Sequence, residues 1–255
     1  MKLIGIDIGS SFVKGAVLDL DRLCLARTAR APFPPPIAGL QAGHFEVDPR
    51  LAADAVRDTI VELLGAAPDC AGIVFCSQMG GLVLADRQGE PLTNYLSWRD
   101  QRTVLKAPSR GDCSYARMLK RLGTDRLNEL GQDVKAGAML SLLFWLREQG
   151  RLSEGSIPLG LGEFIVSRLC GAAPATEPTS ALGLLDLQSG DWHRRAFAAI
   201  GLSGLEWPRL AQISQIVGEF TYRGRSIPCY PAVGDHQAAL AGSLLEAGEL
   251  SINVS

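Results

Sequence analysis

The chain opens as short apolar runs divided by turn residues. Lys2 to Ile8, Phe12 to Leu20 and Leu23 to Ala29 are separated by Gly9-Ser10-Ser11 and by Asp21-Arg22. Runs of this length between turn formers predict three strands joined as an antiparallel meander. The proline cluster from Ala31 to Pro36 then predicts that the chain leaves the sheet, because proline has no N–H to donate and biases its predecessor toward extended backbone. A loop should run on to about Val47. Asp48-Pro49 has the residues of a helix start, a capping carboxylate and a proline at the first helical position, and Val56, Ile60, Leu63 and Leu64 follow on one face as far as Gly65.

The runs Ala71 to Cys76 and Gly81 to Ala85 read as buried strands, the second ending at the turn Asp86 to Gly89. From Arg99 to about Gly150 the chain becomes more polar and helical, with Met139, Leu142, Leu143 and Leu146 at helical spacing, so this stretch is expected to be a helical insertion that covers something. Helices are expected to end near Gly171 and to run over Trp192 to Ile200. A short strand is expected over Tyr230 to Val233, a helix over His236 to Ala247, and a closing strand over Leu250 to Ser255. No repeat and no low-complexity tract beyond the prolines interrupts this order.

Composition narrows the function classes. The 255 residues are 47% hydrophobic and 20% charged, as in an ordinary globular chain, and 25 Lys plus Arg against 27 Asp plus Glu leave a net charge of −2. No basic field exists to gather nucleic acid or anionic lipid, no apolar stretch is long enough to cross a membrane, and the amino terminus does not read as a secretory leader. The expected setting is cytoplasmic. Six cysteines without any C-x-x-C pair then read as free thiols in a reducing compartment, not as a metal knuckle or redox pair. His44 and His193 stand isolated near expected loops, and His236 reads as a surface residue at a helix start.

Two strand-end turns carry candidate chemistry. Asp7-Ile8-Gly9-Ser10-Ser11, with Lys14 beyond it, offers a strand-end carboxylate for Mg2+, backbone and hydroxyl donors for phosphate oxygens, and a cation. The same residue types also serve an ordinary β-turn. Val233-Gly234-Asp235-His236 repeats the design near the other end of the chain, and there Asp235 could equally cap a helix. A third segment runs Gln78-Met79-Gly80-Gly81-Leu82-Val83-Leu84-Ala85-Asp86, followed by Trp98-Arg99-Asp100-Gln101-Arg102.

Taken in order, these three segments resemble the FGGY carbohydrate kinases. Glu46-Val47-Asp48-Pro49 is similar to the family's segment before its first helix, and Gly183 to Asp186 with Trp192 resembles a later one. The resemblance implies an α/β, ribonuclease H-like (actin-like) fold, a mixed sheet flanked by helices. It further implies that residues 1–255 are an amino-terminal sugar-binding domain without its carboxy-terminal nucleotide-binding lobe, and that the substrate is a small-molecule ketose, polyol or sugar acid. The cofactors implied are ATP and Mg2+. By position, Asp235 would be the general base, Asp7 would serve the metal, and Gly9, Ser10, Ser11 and Lys14 would face the phosphates. Gln78, Met79, Trp98, Asp100 and Arg102 would border the sugar. Gly80 stands where xylulose kinases carry a histidine, while Gly234 to Ala238 and Ile252 to Ser255 look more like sedoheptulose kinases. A sugar-binding or regulatory protein without transfer activity, a chaperone-like ATPase of the same superfold, and a homodimer remain open on the sequence.

Overall fold

The computed structural model describes residues 1–106 and 111–251. Three antiparallel strands, β1 (Lys2–Ile8), β2 (Phe12–Asp19) and β3 (Cys24–Pro32), are followed by β4 (Glu46–Val47), helix α1 (Pro49–Ala66) and β5 (Ile73–Ser77). Next come β6 (Val83–Ala85), β7 (Tyr95–Leu96), α2 (Ser114–Glu129), α3 (Met139–Glu148), β8 (Ile157–Leu159) and α4 (Leu161–Cys170). The chain continues through β9 (Ala175–Thr176), a 3-10 turn at Pro178–Ser180, the small hairpin of β10 (Leu185–Asp186) and β11 (Asp191–Trp192), α5 (Arg194–Ala199) and β12 (Arg209–Leu210). The hairpin of β13 (Gly218–Tyr222) and β14 (Arg225–Gly234) leads into α6 (Asp235–Gly242).

A six-stranded sheet in the order β13-β14-β5-β1-β2-β3 organises the chain. Its centre is parallel, β5 lying between β1 and β14, and its outer pairs are antiparallel, so the sheet is mixed as expected. Alternation along β1 buries Ile4, Ile6 and Ile8 and leaves Asp7 on the other face. The buried row meets Val56, Ile60, Leu63 and Leu64 of α1 and Phe164 and Ile165 of α4 in one core. Asp48 starts α1 as expected, its carboxylate accepting from Arg50 N at 2.8 Å ahead of Pro49.

A second core joins α2, α3 and α5 through Met118, Leu143, Phe144 and Phe197. This second body takes in α2 and α3 together with Ala181, Leu184, Trp192, Ile200 and Leu205 further along the chain. Strand β6 divides the two bodies: Val83 and Ala85 face the sheet core, while Leu82 and Leu84 face the helical one. An unbroken apolar run satisfies both sides, as the two-residue period of a strand requires.

Several expectations are corrected. Strand β3 continues through Pro32, which pairs with Phe12, because at the sheet edge its missing N–H breaks no ladder bond. The strand expected over Gly81 to Ala85 is shorter, Val83–Ala85, and pairs with β8. Trp192 ends β11 instead of starting a helix, and α6 stops at Gly242. His193 is not isolated: it is buried, its Nδ1 accepts from Ala196 N at 3.3 Å at the start of α5, and its Nε2 lies 2.8 Å from Glu129. Leu250 and Ser251 form no strand, and the remainder of that expected strand, Ile252 to Ser255, lies outside the described residues.

Candidate active site

The carboxyl ends of β1, β5 and β14 converge, as parallel neighbours must when each is followed by a turn toward the same edge. Asp7 is the penultimate residue of β1, and Gly9 N donates to Phe12 O at 3.1 Å, making the Gly9-Ser10-Ser11 turn tight. Lys14 faces Asp7 across the β1–β2 ladder, and its Nζ reaches Asp7 Oδ2 at 3.2 Å. Asp7, Gly9, Ser10, Ser11, Lys14 and Asp235 line one cleft of about 530 Å3. The two turns that the sequence places far apart are thus brought together.

Asp235 is the first residue of α6; Gly234, before it, is the cap position. Its Oδ1 accepts from His236 N at 2.8 Å. Burial raises its pKa above the ordinary carboxylate value against that backbone bond, and the negative charge of Asp7 pushes the same way. Cys76, on the same rim, lies with Sγ 3.7 Å from Asp7 Oδ1, and burial together with Asp7 pushes its thiol up to about 12. Among the described residues no cluster of three His, Cys, Asp or Glu side chains makes a closed metal site. The two cleft carboxylates are nonetheless hard oxygen donors of the kind Mg2+ takes when phosphates and waters complete its shell.

A second wall is built from the loop after β5. Gln78 N donates to Ile8 O at 2.9 Å, and its Oε1 accepts from Trp98 Nε1 at 3.1 Å and from Tyr95 Oη at 3.4 Å. Met79 packs on Gly234, where a Cβ would come within 2.7 Å of its sulfur, so this wall touches the residue just before Asp235. Gly80 has φ +72°, a conformation glycine adopts freely. Gly137 is a close-approach position: a Cβ there would collide with the Trp98 carbonyl. Trp98 itself remains 45% exposed at the mouth.

Asp100 and Arg102 sit behind this wall. Arg102 donates from Nε to Asp100 Oδ1 at 2.9 Å and from Nη2 to Asp100 Oδ2 at 2.7 Å and Glu46 Oε1 at 2.6 Å. Burial opposes the guanidinium charge, but Asp100 and Glu46 outweigh it and hold its pKa above the ordinary value. Asp100 also accepts from Phe45 N at 2.6 Å. The pair thereby fastens the Trp98 loop to the segment before α1, with no exposed face of its own on Asp100.

Two site residues were not singled out from the sequence. Glu46 lies in a segment noted only as a motif. Glu163, in the first turn of α4, is buried beside the Gln78 loop, and desolvation, with Glu177 adding to it, drives its carboxyl up to about 7. Its only signal is an acid inside the apolar run Leu161 to Val166.

The model of the FGGY family of carbohydrate kinases, N-terminal domain, matches residues 2–242. The chain belongs to the FGGY family. Among its relatives, the xylulose kinase of Staphylococcus xylosus is 26% identical over 86% of this chain and 44% of its own length. The glycerol kinase of Methylorubrum extorquens is 28% identical over 96% of this chain and 50% of its own. The chain therefore spans about half the length of the curated relatives it matches. The gluconate kinase structure from Lactobacillus acidophilus superposes with a TM-score of 0.76 at 21% identity, over 92% of this chain and 48% of that one. Plasmodium falciparum glycerol kinase with ADP superposes at 0.77, with 16% identity, over 94% of this chain and 50% of that one. The actin-like fold expected from the resemblance is the one these FGGY sugar kinases share.

Proposed function

We propose that this FGGY domain is the sugar-binding, base-bearing half of a kinase that transfers phosphate from ATP to a hydroxyl of a ketose or polyol. The observation that carries the reading is the single cleft holding Asp7, the Gly9–Ser11 turn and Asp235, with the Gln78–Trp98 wall reaching Asp235 through Met79 and Gly234. Asp235 accepts the proton of the attacking hydroxyl; its raised pKa makes it a stronger base than an ordinary aspartate. The turn amides, the Ser10 and Ser11 hydroxyls and Lys14 hold phosphate oxygens, and Asp7 orders the metal's shell through water. Mg2+, when bound, neutralises phosphate charge. Gln78, Met79 and Trp98 border the sugar, while Asp100 and Arg102 act from behind by holding the Trp98 loop.

Within this class we infer a heptulose acceptor of the sedoheptulose type, because Gly80 presents no side-chain hydrogen-bonding group where xylulose kinases carry a histidine, a reading supported by the resemblance and not by open space, since a Cβ at Gly80 would already meet Trp98 Cβ at 3.2 Å. The 255-residue chain alone should bind its sugar without sustained phosphorylation, since closure over a nucleotide needs a second lobe. Calorimetry with sedoheptulose, xylulose, glycerol and gluconate, alongside an ATP-coupled assay, tests both statements. Binding tightest for sedoheptulose, with no steady turnover, is the expected result. Absence of binding by all four would overturn the sugar-binding reading, steady turnover by this chain the two-lobe requirement, and tighter xylulose binding the heptulose preference.

A further inference from the structure

Beneath the Gln78–Gly80 loop, between β5 and α4, lies a small pocket lined by Ser77, Gln78, Met79, Gly160, Glu163 and Ser180, with about 10 Å3 of free space. That is room for one water-sized group. Two polar side chains line it, Gln78 with an unpartnered donor and Glu163 with a buried carboxyl. The Gln78 carboxamide is oriented by its neighbours: Trp98 Nε1 can only donate, so the amide oxygen must face it and the NH2 must turn into the pocket. There Gln78 Nε2 is buried and, among the described residues, has no hydrogen-bond partner. A buried donor left unpaired carries a desolvation penalty and needs an explanation.

Glu163 is the second. It is 4% exposed, and its carboxyl folds over Gly160, where an added Cβ would collide with Oε2. No ion pair or side-chain donor among the described residues meets it; its backbone contact is its own N–H, so it does not complete the reciprocal helix cap that an acid at this position can form. The pocket's serines are engaged elsewhere, Ser77 Oγ donating to Gln78 O at 3.3 Å and Ser180 Oγ to Ala232 O at 3.0 Å. The slot is therefore flanked by one N–H donor and one carboxyl.

We propose that this slot is a subsite for one hydroxyl of the acceptor, whose oxygen accepts from Gln78 Nε2 while its hydrogen is donated to the Glu163 carboxyl. A hydroxyl carries one donor and two lone pairs, the complement of what the slot offers, and no charged or methyl group of that size does. Met79 and Gly80 at the rim connect the slot to the wall assigned to the sugar, and Met79 touches the approach to Asp235, so an acceptor anchored here presents its other hydroxyls to the base. The inference rests on the cleft taking a polyhydroxylated acceptor. It makes Glu163 a specificity-determining residue of that same site. The same O–H chemistry could come from a resident water, and the test below separates the two.

The experiment is calorimetric titration of the chain with the tightest binder among sedoheptulose, xylulose, glycerol and gluconate, and with each monodeoxy analogue of that compound. Wild type is compared with Glu163→Met, which removes the acceptor, Glu163→Gln, which keeps an uncharged one, and Gly160→Ala, which displaces the carboxyl. The Met and Ala variants should bind the parent compound about tenfold more weakly, and the Gln variant should stay within about threefold of wild type, as loss or weakening of one buried charge-assisted bond implies. One monodeoxy analogue should bind wild type about tenfold more weakly and should be indifferent to all three substitutions. Unchanged affinity in the variants would mean that the slot holds water, and equal losses for every analogue would mean that Glu163 acts only through the fold; either overturns the subsite. Should a variant not fold, the analogue series on wild type still decides: no single deoxygenation with a tenfold effect overturns it. If no compound binds at all, the sugar-binding reading fails together with this one.

Discussion

Three carboxylates near the cleft are set to different tasks by their surroundings. Asp7 is tied to Lys14, Asp235 is raised by burial and by Asp7, and Glu163 is driven to about 7 by burial. For Glu163 this becomes a stability statement. Its native pKa lies above the ordinary 4.5, so between those values the folded chain holds more protons than the unfolded one. Stability from this group is complete below the lower value and is lost as pH rises through about 7, up to about 3 kcal/mol if the whole difference is realised. Thermal unfolding from pH 5 to 8 should show the midpoint of wild type falling relative to that of Glu163→Gln, and parallel curves would contradict it. Asp7 and Asp235 are legible in the sequence because each stands near a strand end within two residues of a glycine. Glu163 is not, since burial of a single acid depends on what α4 packs against. The roles of Asp100 and Arg102 were legible only by resemblance, and their partner Glu46 lies too far along the chain for local spacing to reveal the network.

At the scale of elements, the end of β14 is held by the 3-10 turn at Pro178–Ser180. Gly234 N donates to Thr179 Oγ1 at 2.9 Å, and Thr179 in turn donates its hydroxyl hydrogen to Glu177, which also accepts from Thr179 N at 2.8 Å. With its hydrogen committed to Glu177, the hydroxyl presents a lone pair to the strand. Thr179→Val should therefore speed amide exchange at Gly234 by about fivefold, the equivalent of one modest hydrogen bond, while Thr179→Ser should leave it unchanged. Exchange measured by NMR checks this; undiminished protection in the Val variant would show that the turn does not hold the strand. The β1–β3 meander could be read from the sequence because its apolar runs are broken by unambiguous turns. The sequence pattern supports β14 only over Tyr230 to Val233, because Pro228 interrupts its first half. The structure accommodates Pro231 with a register shift between Cys229 and Ala232. Strand β13 leaves no readable pattern in the sequence, since its single buried residue, Phe220, gives little periodic signal.

For the whole molecule, two hydrophobic bodies meet along β6 and leave the candidate site at their junction, β1 supplying Asp7, the start of α6 supplying Asp235 and the loops that bridge the bodies supplying Gln78 and Trp98. Among the described residues no helix is long and apolar enough to cross a membrane. The assignment of Asp235 as base is the central claim, and its local hydrogen bond at the helix start can be separated from proton transfer. Asparagine keeps the oxygen that accepts from His236 N but cannot take up a proton usefully. The deciding measurement is the rate of phosphate transfer from Mg-ATP to the bound sugar by a two-lobed kinase carrying this domain, with Asp235 and with Asp235→Asn, alongside sugar affinity and melting temperature for both. The account predicts unchanged affinity and stability with turnover reduced by about a hundredfold or more. Near-normal turnover in the Asn protein would contradict it and leave Asp235 a helix-start residue.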